Sequence, residues 1–257
     1  MARSPDGPPP PPVVQKLRLR YAKRGRLRFS SHRDFQRALE RALRRAAVPM
    51  AYSAGFNPHP RISYANAAPT GAASEAEYIE IALARRCDVE QIRAALDQAL
   101  PPGLDITQAV EAGPGALADR LQASIWQIEL AGLDPGDSAE GGIRDVVRRF
   151  LAAERVEVQR MTKAGLRTFD ARDAIVAIKV EDAQASRLGQ ACAILRVVVR
   201  HTTPAVRPDD VLSAFHAVAD FAPPSPPLVT RLAQGLLDEA DGSVTDPLVA
   251  DRDDDGA

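Results

Sequence analysis

SSHRDFQRALERALRRA, residues 30–46, is the stretch of sequence that decides the fold. Its apolar residues are spaced at i, i+3, i+4, i+7, i+8 and i+11, which is typical of the buried face of an α-helix. They are Phe35, Ala38, Leu39, Ala42, Leu43 and Ala46. Ser30 or Ser31 can cap the first turn. The stretch therefore predicts an amphipathic helix from Arg33 to Ala47.

The sequence on either side of this helix predicts a unit with the element order β, α, β, β, α, β. Strands are indicated where apolar residues alternate with polar ones, and a second helix begins at Asp88 and ends before Pro101. The predicted strands are KLRLRY with RLRFS (16–21 and 26–30), a short strand and an extended piece within 47–65, EAEYIEIAL (75–83) and LDITQAVEA (104–112). This order is that of a ferredoxin-like, or split βαβ, unit.

The second half of the chain predicts a similar unit with the order β, α, β, β, β, α. Its predicted elements are strands at 124–133, 156–161, 174–183 and 193–201 and helices at 142–153 and 210–221. We therefore expect an α+β fold with two ferredoxin-like units in tandem, at 14–113 and 120–238. A Pro-rich segment, 1–13, and an acidic tail, 239–257, are predicted to be disordered.

Charge is distributed unevenly along the 257 residues, although the net charge is only −1. Between Lys16 and Arg61 there are thirteen basic residues and two acidic ones, whereas the chain from Leu232 onward has one basic residue and eight acidic ones. Such asymmetry is typical of a basic binding face and an acidic tail. The sequence has neither an apolar leader nor a membrane-length apolar run, so we expect a cytoplasmic protein with no membrane partner.

Four arginines of the predicted helix lie within about 80° of one another on a helical wheel, opposite the apolar face. They are Arg33, Arg37, Arg41 and Arg44, and we call them the arginine ridge. A solvated helix face is one interpretation. The other is a phosphate-binding surface, which is favoured because basic residues also alternate with leucines in the flanking predicted strands. Those strand residues are Arg18, Arg20, Arg26 and Arg28.

A second candidate is the loop YSAGFNPHPR, residues 52–61, which places aromatic side chains among glycine and proline. Aromatic rings in a rigid basic loop can stack on unpaired bases. The alternative is a turn whose Phe56 and Tyr64 fill the core. The candidate binding residues of this loop are Tyr52, Phe56, Asn57, His59 and Arg61.

Catalytic and metal-binding signals are weak. His32 stands at the predicted helix start, where an acid–base role and a capping or packing role are both open. The other histidines do not have the spacing of metal ligands, and no P-loop, GxSxG or GxGxxG pattern occurs in the right context. The charged residues of KAGLRTFDARDAI (163–175) are explained equally well by cross-strand ion pairs in a hairpin. We therefore expect neither a metal nor a cofactor.

Residues 26–83, with the loop motif GFNPHP, resemble the hallmark segment of the DUF2344 family, whose domain is called radical SAM-linked because it is often fused behind a radical SAM enzyme. The chain is similar to free-standing members without that enzyme. With only Cys87 and Cys192, it cannot supply the CxxxCxxC motif of a radical SAM cluster. The resemblance implies either a separate radical SAM enzyme or ribonuclease E/G as a partner.

Together these features predict an RNA-binding accessory protein, acting on tRNA or rRNA in radical SAM-dependent RNA modification or RNA processing. One alternative is a metal-independent endoribonuclease using His32, by distant analogy with the CRISPR RNA-processing proteins. Another is a protein–protein adaptor whose arginine ridge docks an acidic partner or the acidic tail. The sequence leaves the oligomeric state open.

Overall fold

The computed structural model describes residues 11–136, 139–162, 165–181 and 191–252. It shows a mixed α+β protein that divides into two compact units. The first unit comprises Met1–Leu121 and Asp246–Ala257, and the second comprises Gln122–Thr245. The first unit thus includes a C-terminal segment that the sequence does not assign to it.

The first unit contains four main strands and two helices, in the predicted order β, α, β, β, α, β. They are β1 (Gln15–Lys23), α1 (His32–Arg45), β2 (Ile62–Ala65), β3 (Ala73–Leu83), α2 (Val89–Ala99) and β4 (Leu104–Glu111). The strands lie in the order β4-β1-β3-β2, and each neighbouring pair is antiparallel. Both helices contribute to one core against this sheet.

Helix α1 is placed by its apolar face. Phe35, Leu39 and Leu43 are buried in one cluster with Leu17 of β1. The Phe35 ring also stacks on Tyr21, with 4.1 Å between the ring centroids. Because the apolar side of the helix is fixed on the sheet, the opposite side faces solvent.

The prediction of a strand at RLRFS is wrong. The chain turns away from the sheet after β1 and forms a 3-10 helix at Gly25–Phe29. Gly25 has a φ of 55°, a backbone conformation that glycine adopts readily and that ends the extended strand. Arg26 and Arg28 therefore belong to a turn and do not extend the strand face of β1.

The described residues of the second unit form nine main elements. They are β5 (Ala123–Ala131), α3 (Ile143–Ala152), β6 (Glu157–Thr162), β7 (Gly165–Asp170), β8 (Ile175–Glu181), β9 (Cys192–Arg200), α4 (Pro208–Ala219), β10 (Leu228–Leu237) and β11 (Val244–Thr245). The main strands lie in the order β10-β5-β9-β8 with antiparallel pairing, and β6 and β7 form a separate antiparallel pair.

Strand β10 is absent from the predicted elements because its buried side chains include polar ones. Arg231 is 4% exposed and Gln234 is 1% exposed, so the apolar alternation of a strand is hidden. The Arg231 guanidinium lies over the Trp126 ring, 4.6 Å from its centroid, which allows a cation to lie in an otherwise apolar layer.

Among the described residues of the β6–β7 hairpin, no cross-strand ion pair of the kind that the sequence allows is formed. Arg160 lies opposite Arg167 in the register, and Arg160 forms its ion pair with Asp210 of α4, at 2.5 Å. The Asp170 carboxylate accepts hydrogen bonds from two backbone N–H groups, of Val156 and Arg172, at 3.0 and 2.9 Å. Lys163, another charged residue of this motif, lies outside the described residues.

The acidic tail differs from the prediction of disorder beginning at residue 239. Val244–Thr245 forms β11, which pairs with β10, and a short helix α5 (Val249–Arg252) follows. Leu248 is 0% exposed and packs in a cluster with Tyr78 of β3 and Val110 of β4. Residues 253–257 lie outside the described part, as do residues 1–10 of the predicted Pro-rich segment, whose residues 11–13 have no regular secondary structure.

Candidate nucleic-acid interface

The arginine ridge lies on α1 as the helical wheel predicts. All four side chains are exposed, and within the described ranges none of them forms a hydrogen bond or an ion pair with another residue. Arginines at i, i+4 repel one another unless an anion lies between them. The ridge therefore concentrates four uncompensated guanidinium groups on one helix face.

A capping box holds the start of this helix. The Ser31 hydroxyl accepts a hydrogen bond from the Asp34 N–H at 3.2 Å, and the Asp34 carboxylate accepts one from the Ser31 N–H at 3.1 Å. The Ser31 hydroxyl also donates to the Asp34 carboxylate at 2.7 Å. This bond, followed by the one from the Ser31 N–H, holds the pKa of Asp34 below its usual value, and the charge of Arg37 adds to the effect. The one carboxylate near the beginning of the ridge is thus engaged by the cap.

The predicted basic strand face does not form at Arg18. Its side chain is 1% exposed, so the interpretation as a nucleic-acid contact is wrong in the structure. The guanidinium donates to both carboxylate oxygens of Asp251, at 2.8 and 2.9 Å, and to Glu80 at 3.1 Å. The alternation of apolar and basic residues predicted that one face of the sheet is open to solvent. That face is instead covered by a segment that is distant in sequence and contains Asp251.

The other residues of that predicted face are also engaged by the protein. Lys16 pairs with Glu80 at 3.0 Å, and the Arg20 Nε donates to the Glu75 carbonyl at 2.8 Å. Arg28 is half-buried, with its guanidinium over the Phe29 ring at 4.7 Å from the centroid. Arg26 alone of the predicted flanking arginines is exposed without a hydrogen bond or ion pair to the described residues.

The GFNPHP loop projects into solvent on a closed base. Tyr52 and Pro60 form an isolated β-bridge. The Ser53 N–H donates to the His59 carbonyl at 2.9 Å, and the His59 N–H donates to the Ser53 hydroxyl at 3.0 Å. Because these bonds join the two ends, the residues between them are held as a compact turn.

The aromatic residues divide between the two interpretations of the loop. Phe56 is 67% exposed and Tyr52 is 40% exposed, so both are available to a ligand. Tyr64, in contrast, is half-buried and packs edge-on against Phe35, with 6.2 Å between the centroids. The core-filling alternative thus holds for Tyr64 and is wrong for Phe56.

The remaining predicted loop residues, Asn57, His59 and Arg61, are exposed. Arg61 leaves the loop on a fixed backbone, because its N–H donates to the Ala51 carbonyl at 2.8 Å and its carbonyl accepts from the Ala82 N–H at 3.0 Å. The Arg61 side chain has no hydrogen bond or ion pair in the described part of the chain. It therefore adds, after the arginine ridge and Arg26, a sixth exposed guanidinium group without a partner among the described residues of the basic segment.

A pocket of about 360 Å³ joins the ridge to the loop. Its wall on the helix side includes Glu40 and Arg44, and its wall on the loop side includes Tyr52 and His59. The structure thus brings together residues that the sequence assigned to two separate candidates. Glu40 was not among those candidates, since one acid among many arginines reads as an ordinary helix-surface residue.

His32 is the first residue of α1 and is exposed. Its Nε2 lies 2.9 Å from the Gln36 side-chain nitrogen, and its ring packs edge-on against Tyr64 at 4.9 Å between centroids. Burial, followed by the Glu40 charge, raises the pKa of Tyr64 to about 12, so this phenol stays protonated near neutral pH. These contacts fit a packing role for a histidine at a helix start.

The described residues contain no cluster of three or more histidine, cysteine or acidic side chains arranged to hold a metal. No helix among them combines the length and the apolar character needed to cross a bilayer.

Comparison with known proteins gives one family. The model described as "Uncharacterized protein conserved in bacteria (DUF2344)" matches residues 16–208. A search of the curated proteins finds no match. The matched residues include the arginine ridge, the GFNPHP loop and the pocket between them. Because the match spans more than half of the chain, this protein belongs to the DUF2344 family.

Proposed function

We propose that this protein binds RNA through the arginine ridge and the GFNPHP loop, as an accessory protein acting on tRNA or rRNA. The observation that carries the proposal is the adjacency of four exposed, unpaired arginines and a loop with two exposed aromatic side chains, joined by one pocket. Guanidinium groups suit phosphate oxygens, and exposed rings suit unpaired bases.

RNA is favoured over an acidic protein partner because of the loop. An acidic peptide that is bound by charge alone needs only the arginine ridge. Phe56 and Tyr52 also expose aromatic rings, which such a peptide would not use. Sequence-selective RNA binding commonly uses single-stranded loops whose bases stack on such rings. The described part of the acidic tail also does not support the adaptor version, since Asp251 pairs with buried Arg18 on the sheet.

We also propose that both units are ferredoxin-like. The strand order is β4-β1-β3-β2 in the first unit and β10-β5-β9-β8 in the second. The two orders are the same when β5, β8, β9 and β10 are counted as the first, second, third and fourth strands of the second unit. In both units a helix connects the first and second strands and another connects the third and fourth. The hairpin of β6 and β7 is then an insertion in the second unit.

The second part of the proposal is that the protein acts as an accessory to an enzyme. In it, RNA held on this surface is presented to a separate enzyme, such as a radical SAM enzyme or ribonuclease E/G. Its support is the resemblance of residues 26–83 to radical SAM-linked proteins, together with the lack of a cluster-binding cysteine motif in this chain.

The test of RNA binding is its salt dependence. We expect the affinity for total tRNA, measured by filter binding, to fall steeply as salt rises, because phosphate contacts release counterions. The double variant Arg37→Ala with Arg41→Ala should flatten the slope of log affinity against log salt by about 2, since each lost phosphate contact reduces it by about 1.

A matched control removes two other exposed arginines, Arg155 and Arg167, which lie in the second unit. This control makes the same change in net charge and should leave the slope close to that of the unmodified protein. Equal slopes for the ridge variant and the unmodified protein would contradict the proposed interface.

A further inference from the structure

The pocket between α1 and the loop contains a carboxylate that no part of the described fold uses. Glu40 lines this pocket and is half-buried. It forms no hydrogen bond or ion pair with any described residue, although basic groups are close by on the same helix. A half-buried carboxylate in a basic surface weakens general phosphate binding, so electrostatic binding alone gives no reason for it.

The rest of the pocket has the character of a base-binding site. Its floor is apolar, since Leu43 is 3% exposed and Met50 is 7% exposed, and both line it. Tyr52 and His59 supply rings at the loop side. Its volume of about 360 Å³ is at the small end of the range for ligand pockets, about 300–1,000 Å³. A single nucleoside suits this size better than a longer segment.

The carboxylate selects among the bases by the arrangement of donors on their edges. Guanine presents two adjacent donors, its N1–H and its N2 amino group, which match the two oxygens of a carboxylate. Adenine and cytosine place an acceptor nitrogen beside their amino donor, and uracil places its N3–H between two carbonyl oxygens. An acceptor facing Glu40 would be repelled, so guanine is the base that fits without an unpaired contact.

We propose that this pocket binds one unpaired guanine of an RNA, with Glu40 accepting hydrogen bonds from the N1–H and the N2 amino group. Tyr52 or His59 stacks on the base, and Arg44, at the end of the arginine ridge, contacts the adjoining phosphate. This inference rests on the proposed function and adds the base that the surface selects.

The experiment compares single-stranded 12-nucleotide uridine RNAs that differ at one central position, which is guanine, inosine or adenine. Binding is measured by fluorescence anisotropy at one low salt concentration. The guanine RNA should bind about tenfold more tightly than the inosine RNA, which lacks the N2 amino group and therefore one of the two bonds. Unlabelled GMP is the competitor that distinguishes a free nucleotide from a base in RNA.

The Glu40→Gln variant should bind the guanine and inosine RNAs within about twofold of each other, because an amide cannot accept from both donors at once. Its adjacent acceptor and donor match the adenine edge instead, so the adenine RNA should gain relative to the guanine RNA. Glu154→Gln, an exposed glutamate of the second unit, is the matched control and should keep the tenfold preference. Tyr52→Ala should weaken the binding of all three RNAs, because it removes stacking and leaves the edge contact in place.

The outcomes separate this inference from the proposed function. RNA binding with no preference for guanine in the unmodified protein overturns the guanine site and leaves the RNA-binding surface standing. No salt-dependent RNA binding at all overturns the proposed function as well. If GMP competes at the same concentrations as the guanine RNA, the pocket binds a free nucleotide. That result would overturn the proposed role of the pocket in RNA binding.

Discussion

At the residue scale, arginines of the same basic segment differ in exposure and in ion pairing. Arg37 stands on an exposed helix face without an ion pair to the described residues, whereas Arg18 is 1% exposed and is held by Asp251 and Glu80. A buried guanidinium needs partners that replace the water it loses, and two carboxylates do this for Arg18. Arg18 is therefore part of the fold, and the ridge is the part available for binding.

This difference predicts separable effects. Asp251→Asn leaves Arg18 without its main counter-charge, so the free energy of unfolding should fall by roughly 3–5 kcal/mol. Urea denaturation followed by circular dichroism measures this. The double variant Arg18→Met with Asp251→Leu should lose less than the sum of the two single changes, because each single change leaves the buried partner charge behind. A single variant as stable as the unmodified protein would contradict the structural role.

At the scale of the element, α1 is a helix whose apolar face, cap and polar face serve different purposes. Phe35, Leu39 and Leu43 fix the helix on the sheet, and the Ser31 capping box satisfies its first N–H groups. The stability gained by these contacts offsets the mutual repulsion of the ridge. In this way a helix can hold four like charges in line before any anion arrives.

The cap predicts a pH-dependent contribution to stability. Ser31→Ala should reduce the free energy of unfolding by about 1 kcal/mol at pH 7, because it removes the N-cap acceptor. The pKa of Asp34 is below its ordinary value in the folded protein, chiefly through its bonds with Ser31. Its contribution is therefore present above the unfolded pKa of about 3.9 and is lost as the pH falls through the lower folded value.

Chemical denaturation of the unmodified protein and of Ser31→Ala at pH 7 and at pH 3 measures this contribution. The difference between the two proteins should be smaller at pH 3. A difference that stays constant across this range would show that Asp34 does not act through the cap.

At the scale of the whole molecule, the acidic C-terminal region is partly structural. Leu248 and Asp251 are buried in the first unit, and Arg120 pairs with Asp251 at 2.9 Å. The segment thus closes the sheet face that the helices leave open. Asp251 compensates Arg18 and Arg120, so this carboxylate is not available to the arginine ridge.

Truncation after Thr245 tests this assignment. We expect the free energy of unfolding to fall by more than in Asp251→Asn, because the truncated chain also loses Leu248, and removing a buried leucine side chain alone costs about 2–5 kcal/mol. RNA affinity per folded molecule and its salt slope should stay unchanged. A gain in affinity on truncation would instead indicate that the acidic residues compete for the ridge.

Most of the first unit was predictable because its patterns are local. The period of 35–46 gives α1 and its exposed arginines, and the alternation in 75–83 gives β3, since both patterns need only a helix or strand with one buried face. The turn at Gly25 and the strand β10 were missed. The backbone conformation at Gly25 overrides the local pattern of the first, and buried polar side chains override that of the second.

The sequence by itself determined the family, the element order of the first unit, the arginine ridge and the aromatic loop. Only the tertiary structure decided which basic residues are free. Arg18 is buried because Asp251, 233 positions away, pairs with it. Glu40 becomes part of a candidate site because the loop folds beside it. Contacts between distant residues leave no periodic signal in a single sequence, so burial and pairing of these charges had to be read from the fold.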